Sequence, residues 1–279
     1  MEKYAVIGWP IKHSLSPQMQ TAGFKALGLD ASYEKIAVSP DRLAVEVDRL
    51  RGGFSGWNIT IPHKAAIIPY LDGLEDTAFR IGSVNTVINR NGFLEGHSTD
   101  GYGLAAAILE CFDIEIEGSR FVFIGAGGAA RASAIYFALA GAAAISIINR
   151  TAAKAEAITR SINDVAPHCE AQSCTPMQTG KIKELLETTS AVIQATSLGM
   201  TENDPAPLDI SMLPGRVPVY DMIYRKTPFL RAAQKRGCPV ADGAGMLLYQ
   251  GARSLELWTS RPPPIEAMRK ALNKALAKR

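Results

Sequence analysis

A short apolar strand that runs directly into a glycine-rich turn is the feature that most limits how this chain can fold. Residues 121–124 (FVFI) form a continuous apolar run, and GAGGAAR follows at residues 125–131. In this spacing Gly125 permits a tight turn, Gly127 lets the backbone approach a pyrophosphate, and Ala130 lets helix and strand pack closely. The N-terminus of the helix then supplies amide donors to phosphate oxygens. The segment predicts a dinucleotide-binding βα unit; a glycine-rich turn without a ligand is the alternative.

The residues after the next predicted strand indicate which dinucleotide this unit binds. That strand covers residues 144–148 and is followed by Arg150, with Lys154 one turn later. An NAD site normally places an acid here to hold the ribose 2′-hydroxyl, whereas a cation suits the 2′-phosphate of NADP. Either cation alone is compatible with a solvated surface charge. Together, at this position, they favour NADP as the cofactor.

Strand-like and helix-like segments alternate along nearly the whole chain, which indicates an α/β fold with mostly parallel sheets. The first hundred residues contain predicted strands at 4–7, 33–38, 57–61 and 84–89 and predicted helices at 17–27, 40–50 and 72–80. The Asn-Gly pair at 91–92 predicts a hairpin turn. A second alternation runs from residue 120 to about 240, and two helices follow at 245–258 and 265–276.

The chain length, 279 residues, suits two domains rather than one. We predict an N-terminal, mixed but mostly parallel α/β substrate-binding domain, formed by residues 1–100 and completed by C-terminal helices within 243–279. Residues 101–242 are predicted to form a Rossmann-type NADP-binding domain. No flexible linker separates the two, so a cleft between the domains is the expected ligand site.

Composition excludes several other classes of protein. Hydrophobic residues make up 47% and charged residues 20%, which is typical of a soluble globular protein. The net charge of +3 gives no basic stripe for nucleic acid, and the apolar run at 134–148 is too short for a membrane span. The four cysteines form no CxxC pair and no metal-site spacing. We therefore expect a cytoplasmic protein, monomeric or homodimeric, without a metal.

A single lysine, Lys64, stands in an unexpected place. The segment WNITIPHK at residues 57–64 contains a strand that Pro62 stops, and apolar residues 65–68 follow the lysine. Lysine is rarely buried without a partner, so the simpler interpretation is that its side chain reaches from the first turn of a helix into water. A cation in that turn opposes the helix dipole. The alternative is therefore that a role other than solvent exposure keeps a lysine at this position.

Several segments of the chain, taken in order, resemble the shikimate dehydrogenase family. They are GWPIKHSLSP at 8–17, NITIPHK at 58–64, GSVNT at 82–86, TDG at 99–101, the glycine-rich turn at 125–131, ATSLGM at 195–200, YDM at 220–222 and DGAGM at 242–246. The resemblance covers nearly the whole chain. Ser98 departs from it, because the family usually has asparagine before the TDG segment. We expect the serine to supply part of the local hydrogen bonding of that asparagine.

The resemblance implies that NADPH reduces 3-dehydroshikimate reversibly to shikimate, a step of aromatic amino-acid biosynthesis. It implies that Lys64 and Asp100 are the catalytic residues. Charge grows on the carbonyl oxygen as hydride arrives, and an ammonium at Lys64 would neutralise it, while Asp100 compensates the charge of the lysine. The proton acceptor in the oxidative direction is either of the two, since a coupled pair titrates as a unit.

The resemblance also implies two sets of binding residues. The substrate set, in which the two serines hold the carboxylate, is Ser14, Ser16, Thr60, Asn85, Asp100, Tyr224 and Gln250. The cofactor set is Asp76, Gly125, Ala126, Gly127, Gly128, Ala129, Asn149, Arg150, Thr151, Lys154, Met222 and Gly243. Within it, Met222 would border the nicotinamide and Gly243 would allow close approach. His63 is not expected to act chemically, because successive residues on a helix point in different directions.

Two other functions compete with this interpretation. A quinate/shikimate dehydrogenase of the same superfamily would accept quinate and often use NAD. A regulatory protein that binds NADP but has lost catalysis is the second alternative. The presence of Lys64, Asp100 and the polar set speaks against the regulatory protein.

The assignment of Arg150 to the 2′-phosphate is testable by charge reversal. Replacing Arg150 with aspartate should weaken NADP binding far more than NAD binding, because an attractive partner of the phosphate becomes a repulsive one. Dissociation constants for the two oxidised cofactors, measured by calorimetry on one protein preparation, give the comparison. An equal loss of affinity for both cofactors would show that the assignment is wrong.

Overall fold

Buried strands that alternate with helices build two separate six-stranded sheets. The structure, a computed structural model, describes residues 1–278. Its contacts separate unit 1, which is Met1–Gly103 with the chain from Leu248 onward, from unit 2, which is Leu104–Leu247. The predicted α/β class is confirmed. The domain limits predicted after residues 100 and 242 fall a few residues before these boundaries.

The strands are β1 (Glu2–Gly8), β2 (Ala31–Ala37), β3 (Gly56–Ile59), β4 (Gly73–Leu74), β5 (Thr86–Arg90), β6 (Phe93–His97), β7 (Arg120–Ile124), β8 (Ala144–Ile148), β9 (Glu170–Cys174), β10 (Ala191–Gln194), β11 (Val219–Asp221) and β12 (Val240–Ala241). The helices are α1 (Ser16–Ala26), α2 (Leu43–Gly53), α3 (His63–Ala66), α4 (Asp76–Ile81), α5 (Asp100–Phe112), α6 (Gly128–Leu139), α7 (Ala152–Val165), α8 (Thr179–Thr188), α9 (Pro228–Lys235), α10 (Ala244–Thr259) and α11 (Ile265–Leu276). Short 3₁₀ turns lie at Pro40–Arg42, Ile68–Tyr70 and Ile210–Met212.

The sheet of unit 1 has the strand order β2-β1-β3-β5-β6-β4. Strands β1, β2 and β3 are parallel, whereas β5 runs antiparallel to both β3 and β6. The chain reverses between β5 and β6 at Asn91 and Gly92, whose φ angles are 55° and 93°. Positive φ at both central residues is what a type I′ turn needs. The predicted Asn-Gly hairpin is therefore confirmed.

The sheet of unit 2 is entirely parallel, in the order β12-β11-β10-β7-β8-β9. The chain moves outward from β7 in one direction and then, from β10, in the other. This is the doubly wound Rossmann order, and its switch point lies between the ends of β7 and β10. Ligands of such sheets bind beyond the carboxyl ends of the strands at that point.

Two local predictions in unit 1 are wrong. The helix predicted for residues 72–80 begins only at Asp76, because Gly73–Leu74 pairs with β6 as an edge strand. Glu75 then caps the helix by accepting the amide of Ala78 at 3.0 Å. The strand predicted for 57–61 stops at Ile59, since the chain turns there and the amide of His63 donates to the carbonyl of Thr60 at 3.0 Å.

Helix α10 docks on the sheet of unit 1 through Trp258. Its indole Nε1–H donates to the carbonyl of Val87 at 2.9 Å, and its ring lies 4.9 Å from that of Tyr4 and 6.1 Å from that of Tyr33. Gly56 makes room for the indole: a Cβ atom there would lie 2.4 Å from Trp258 Nε1. The glycine and the tryptophan, far apart in the sequence, therefore fit each other.

In unit 2, helix α6 is fixed onto β7 by aromatic packing. Phe137 on the helix meets Phe121 and Phe123 edge-on, with ring centroids 4.8 and 5.7 Å apart. Ala130, in the first turn of the helix, is fully buried, as close helix–strand packing requires. The amino end of α6 is thereby held at the carboxyl end of β7. Among residues 1–278, no helix is long and apolar enough to cross a bilayer.

The fit of Gly56 against Trp258 predicts a large difference between two glycine substitutions. Gly56→Ala should destabilise unit 1 by about 1–3 kcal/mol, because the added methyl group meets the indole and a backbone carbonyl. Gly52→Ala in α2 is the matched control, since its Cβ would have no atom within 4 Å and alanine favours a helix. Urea unfolding followed by tryptophan fluorescence reports on unit 1, which contains all three tryptophans, Trp9, Trp57 and Trp258. Equal midpoints for the two variants would contradict the proposed fit.

Candidate active site

Lys64 forms an ion pair with a buried carboxylate. It lies in the first turn of α3, and its Nζ is 2.5 Å from Oδ2 of Asp100 at the start of α5. The side chain of Asp100 is only 7% exposed and that of Lys64 is 21% exposed. The interpretation of Lys64 as a solvated surface lysine is therefore wrong. A negative charge in the first turn of a helix also interacts favourably with the helix dipole, and Asp100 is the first residue of α5.

The second oxygen of Asp100 is held by Asn85. The Nδ2 group of Asn85 lies 2.9 Å from Asp100 Oδ1, 2.9 Å from Thr99 Oγ1 and 3.3 Å from Gln250 Oε1. Its Oδ1 accepts the backbone amide of Thr99 at 2.7 Å. This hydrogen bond from the Thr99 amide fixes which end of the Asn85 side chain is the oxygen and which is the nitrogen. With Lys64 on Oδ2 and Asn85 on Oδ1, both oxygens of Asp100 have a partner. Four predicted residues, Lys64, Asp100, Asn85 and Gln250, meet in one cluster.

A buried polar network supports this cluster from beneath, and sequence reasoning missed it. Asn58 on β3 donates to the carbonyl of Asn85 at 3.1 Å and to Oγ of Ser254 on α10 at 2.9 Å. Its Oδ1 accepts the hydroxyl of Tyr33 at 2.7 Å. Burial raises the pKa of Tyr33 above its usual value, so the phenol stays a neutral donor. A signal existed: an asparagine between two buried strand residues must find partners.

The predicted carboxylate-binding serines lie on the loop between β1 and α1. Ser14 is partly exposed, and its Oγ accepts the amide of Ser16 at 3.3 Å, so its own hydroxyl hydrogen can still be donated. Ser16 is 8% exposed, and its side chain interacts with the Tyr33 hydroxyl, which lowers the pKa of that phenol against the larger effect of burial. The loop is therefore connected to the same network as Asn58. This link was not foreseen from the sequence.

Thr60 and His63 occupy the turn between β3 and Lys64. The amide of Thr60 donates to the carbonyl of Ile7 at 2.9 Å, which places the turn beside the end of β1. His63 is 1% exposed, and its Nε2 lies 2.7 Å from the carbonyl of Val38. A carbonyl only accepts, so this nitrogen carries a hydrogen and the ring is held in place. That geometry gives His63 a structural role.

Ser98 does not behave as we expected from its position. The residue is 8% exposed, and among residues 1–278 its Oγ has no hydrogen-bond partner. The expectation that it supplies local hydrogen bonding is therefore wrong for this structure. Asn85 receives the amide of Thr99 instead.

Gly125 and Gly127, in the βα turn of unit 2, have different surroundings, so a side chain would be excluded from the two positions for different reasons. Gly125 has a φ of 111°, and a Cβ there would lie 2.8 Å from Thr196 Cγ2; the tight turn itself requires it. A Cβ on Gly127 would have no atom within 4 Å. The protein alone thus gives no steric reason for glycine at this position. Open space over the backbone at the start of α6 fits the approach of a pyrophosphate.

The remaining residues of this turn and those after β8 lie at the same carboxyl edge of the sheet. Gly128 begins α6, which continues through Ala129, and Ala126 precedes it in the turn. After β8, the Nδ2 group of Asn149 donates to the carbonyl of Thr151 at 2.9 Å, and Thr151 is the N-cap residue of α7.

Arg150 and Lys154 are both exposed near the start of α7. No ion pair involves either cation in the part of the chain that the structure describes. Two unpaired cations beside a helix N-terminus and the open turn form a site suited to an anionic ligand. The residues present therefore fit a dinucleotide with a 2′-phosphate.

The structure puts the remaining predicted site residues, the substrate residue Tyr224 and the cofactor residues Met222, Gly243 and Asp76, in different places. Met222 and Tyr224 follow β11 and are partly buried. At Gly243 the protein itself excludes a side chain, because a Cβ atom there would lie 2.2 Å from the carbonyl oxygen of Met222. Asp76 belongs to unit 1, where its side chain is 71% exposed and pairs with Arg80 at 2.7 Å. Its predicted role toward the cofactor stays a prediction, as do the roles of the others.

Comparison with known families covers most of the chain. The family described as "Shikimate dehydrogenase substrate binding domain" matches residues 6–87. "Shikimate / quinate 5-dehydrogenase" matches residues 104–201, and "Shikimate 5'-dehydrogenase C-terminal domain" matches residues 243–272.

Individual relatives match the chain from end to end. The shikimate dehydrogenase (NADP(+)) of Desulfitobacterium hafniense (strain Y51) is 41% identical over 280 residues, with 99% of each chain covered. Shikimate 5-dehydrogenase from Listeria monocytogenes, crystallised with shikimate and NAD, is 36% identical with a TM-score of 0.92, covering 98% of this chain and 96% of that one. The enzyme from Thermus thermophilus, crystallised with NADP(H) and shikimate, is 34% identical with a TM-score of 0.86, covering 99% and 100%.

The different environments of the two glycines lead to a testable distinction. Gly127→Ala should leave the thermal midpoint of the ligand-free protein almost unchanged but lower NADP affinity at least tenfold, by crowding the approach to the backbone. Gly125→Ala should lower the midpoint itself, because alanine is strained at positive φ and would clash with the segment after β10. Differential scanning fluorimetry and calorimetric titration of NADP measure the two effects. Unchanged NADP affinity in Gly127→Ala would contradict the assignment of this turn.

Proposed function

Because this chain belongs to the shikimate dehydrogenase family, we propose that it catalyses the reversible, NADP-dependent reduction of 3-dehydroshikimate to shikimate. It is thus an oxidoreductase that acts on a CH–OH group. The observation that carries the proposal is the ion pair of Lys64 with Asp100, locked by Asn85. Reduction of a carbonyl group to an alcohol requires one hydride and one proton, and this pair can supply and control the proton.

Lys64 is suited to donate that proton. An ammonium group carries three hydrogens, and the contact with Asp100 Oδ2 at 2.5 Å occupies one of them. The others can be directed to a substrate oxygen, where they neutralise the charge that develops as the carbonyl is reduced. Asp100 keeps the ammonium oriented, since its own position is set by Asn85 at 2.9 Å. When bound, NADPH supplies the hydride.

We propose that the substrate carboxylate binds at the loop of Ser14 and Ser16. The Ser14 hydroxyl can still donate its hydrogen, since its Oγ accepts the amide of Ser16, and the Ser16 side chain is buried near the Tyr33 hydroxyl. The substrate hydroxyls would meet Thr60, Asn85 and Gln250, with Tyr224 as a further contact. Buried, preoriented polar groups reject analogues that lack a hydroxyl, because the partner groups are then left unpaired.

Unit 1 would accordingly be the substrate-binding domain and unit 2 the NADP-binding domain. The open turn at Gly127, the N-terminus of α6 and the exposed cations Arg150 and Lys154 support the second assignment. Met222, Gly243 and Asp76 complete the proposed cofactor set. The product would serve aromatic amino-acid biosynthesis.

We further propose that the protein works in the cytoplasm, as a monomer or a homodimer. The buried cysteines Cys169, Cys174 and Cys238 are thiols and not disulfides, as a reducing compartment keeps them. Burial raises the pKa of Cys169 to about 11, so that thiol is protonated at neutral pH and unreactive.

Lys64 is the residue whose replacement tests the mechanism most directly. Lys64→Ala should lower kcat by about 10²–10⁴-fold while the KM for shikimate stays within about tenfold, as expected for the loss of a proton donor. Lys64→Arg keeps the charge beside Asp100 but changes geometry and proton affinity, so it should also be strongly impaired. Lys25→Ala, at an exposed site on α1, is the control. Absorbance of the reduced nicotinamide with shikimate and NADP gives the rates.

The paired variants separate catalysis from folding. Loss of Lys64 leaves a buried carboxylate without its cation, which can lower stability, whereas the arginine retains a cation there. Circular dichroism of each variant shows whether it is folded. Near-native kcat in a folded Lys64→Ala would sink the mechanism. Running quinate and NAD in the same assay tests the alternative substrate and cofactor, and native enzyme that turns over quinate with NAD more efficiently would overturn the proposed specificity.

A further inference from the structure

A fully buried carboxylate at the end of β11 lies outside the machinery described above. Asp221 has 0% exposure, and it accepts hydrogen bonds from the amide of Ile223 at 3.0 Å and the hydroxyl of Thr227 at 2.7 Å. It forms no ion pair among residues 1–278. Burial raises its pKa to about 6, with a smaller contribution from Asp242. A buried charge without a counter-ion is costly, so a reason for keeping it is needed.

The charged groups around Asp221 do not compensate it. On the neighbouring strand β10 its register partner is the neutral Gln194, and β12 on the other side is followed by the acidic Asp242. Helix α9 presents Thr227, its uncharged N-cap. The nearest cation along the chain, Arg225, donates to the carbonyl of Gly199 at 2.7 Å instead. Within residues 1–278, hydrogen bonds and the N-terminus of α9 are therefore what stabilise ionised Asp221.

The two hydrogen bonds of Asp221 span the segment that carries Met222 and Tyr224. One bond holds Ile223, and the other holds Thr227, which itself caps α9 by accepting the amide of Leu230 at 3.2 Å. The carboxylate thus ties both ends of the segment to the carboxyl end of β11.

Further contacts fix Met222 itself. Its amide donates to the carbonyl of Gln194 at 2.9 Å, and the amide of Gly243 donates to the carbonyl of Ile223 at 3.1 Å. The carbonyl oxygen of Met222 lies so close to Gly243 that no side chain fits there. The segment is therefore held on several sides, and Asp221 supplies the side-chain charge in that arrangement.

We propose that ionised Asp221 is a positioning residue that holds Met222 and Tyr224 in the geometry required for nicotinamide and substrate. The inference rests on the proposed function, because it uses the roles assigned to those two residues. Both partners of Asp221 are donors, so a group with two acceptor oxygens is needed. An asparagine has one acceptor and one donor and cannot satisfy both bonds as they stand.

This role explains why the chain retains an unfavourable charge. The folded-state pKa of Asp221 lies above the usual carboxyl value of 3.8, so the folded protein binds this proton more tightly than the unfolded one. The contribution of Asp221 to the free energy of unfolding therefore falls as the pH rises from the usual carboxyl value of 3.8 through about 6. At neutral pH the ionised carboxylate opposes folding, which points to selection for function at this position.

The decisive variant is Asp221→Asn, which mimics the protonated acid. At pH 7.5 its thermal midpoint should equal or exceed that of the native enzyme, and the difference should shrink as the pH falls to 5. Its kcat/KM for shikimate and its NADPH affinity, measured by fluorescence of the bound nucleotide, should nevertheless drop at least tenfold. A lower midpoint with a proportionate loss of activity would indicate a merely structural role and overturn the proposal, as would native kinetics.

The pH profile gives an independent readout. Native kcat/KM should fall as the pH drops through about 6, and this limb should be absent from Asp221→Asn. The 2′-phosphate of the cofactor also titrates near pH 6, but it does so in both proteins, so the difference between the two profiles isolates Asp221. Identical profiles would overturn the proposal.

A second pair of variants tests the proposal even if Asp221→Asn does not fold. Thr227→Val removes the hydroxyl that Asp221 accepts, whereas Thr227→Ser retains it. The valine variant should lose kcat/KM at least tenfold and the serine variant should be near native; equal behaviour of the two would overturn the inference. Turnover of shikimate and NADP by the native enzyme is measured first. Its absence refutes the proposed function itself, an outcome distinct from the failure of a variant.

Discussion

Hydrogen bonding of one buried carboxylate organises much of unit 1. Asp100 needs Lys64 on one oxygen and Asn85 on the other, and Asn85 in turn depends on Asn58 and Thr99. Each of these groups is polar and inside the protein, so the loss of one leaves another without a partner. The network crosses several strands and reaches helices α5 and α10. Because each member restrains the next, the position of the Lys64 ammonium is fixed by its contact with Asp100. The long side chain of the lysine would not fix that position by itself.

The parts of the fold that are encoded locally could be predicted from the sequence. The apolar strand and glycine-rich turn at residues 121–131 carry their geometry within one βα unit, and the Asn-Gly hairpin needs only the positive φ of two residues. Strand β4 could not be predicted, because Gly73–Leu74 becomes a strand only by pairing with β6. Pairing partners are distant in sequence, so local propensity carries no trace of them.

The residues of the candidate site likewise fall into those that local sequence identifies and those that depend on distant partners. Lys64 and Asp100 stand in recognisable segments, but the residues that orient them, Asn58 and Tyr33, owe their importance to burial and to partners far along the chain. Gly243 was predicted for contact with the cofactor, and the structure adds an internal reason in the carbonyl of Met222. Asp221 resembles an ordinary acid at a strand end until its burial is known. Sequence identifies the chemistry, whereas packing determines which polar groups control it.

The docking of Trp258 against Gly56 bears on the order in which a newly made chain can become structured. Unit 2 is one continuous stretch, so all of it is synthesised before the last piece of unit 1. At typical synthesis rates, roughly ten to forty seconds separate the appearance of Gly56 from that of Trp258. During this interval the aromatic side chains of Tyr4 and Tyr33 lack their partner, and the nascent first hundred residues present an incomplete surface. The part of the chain made first is therefore the part finished last.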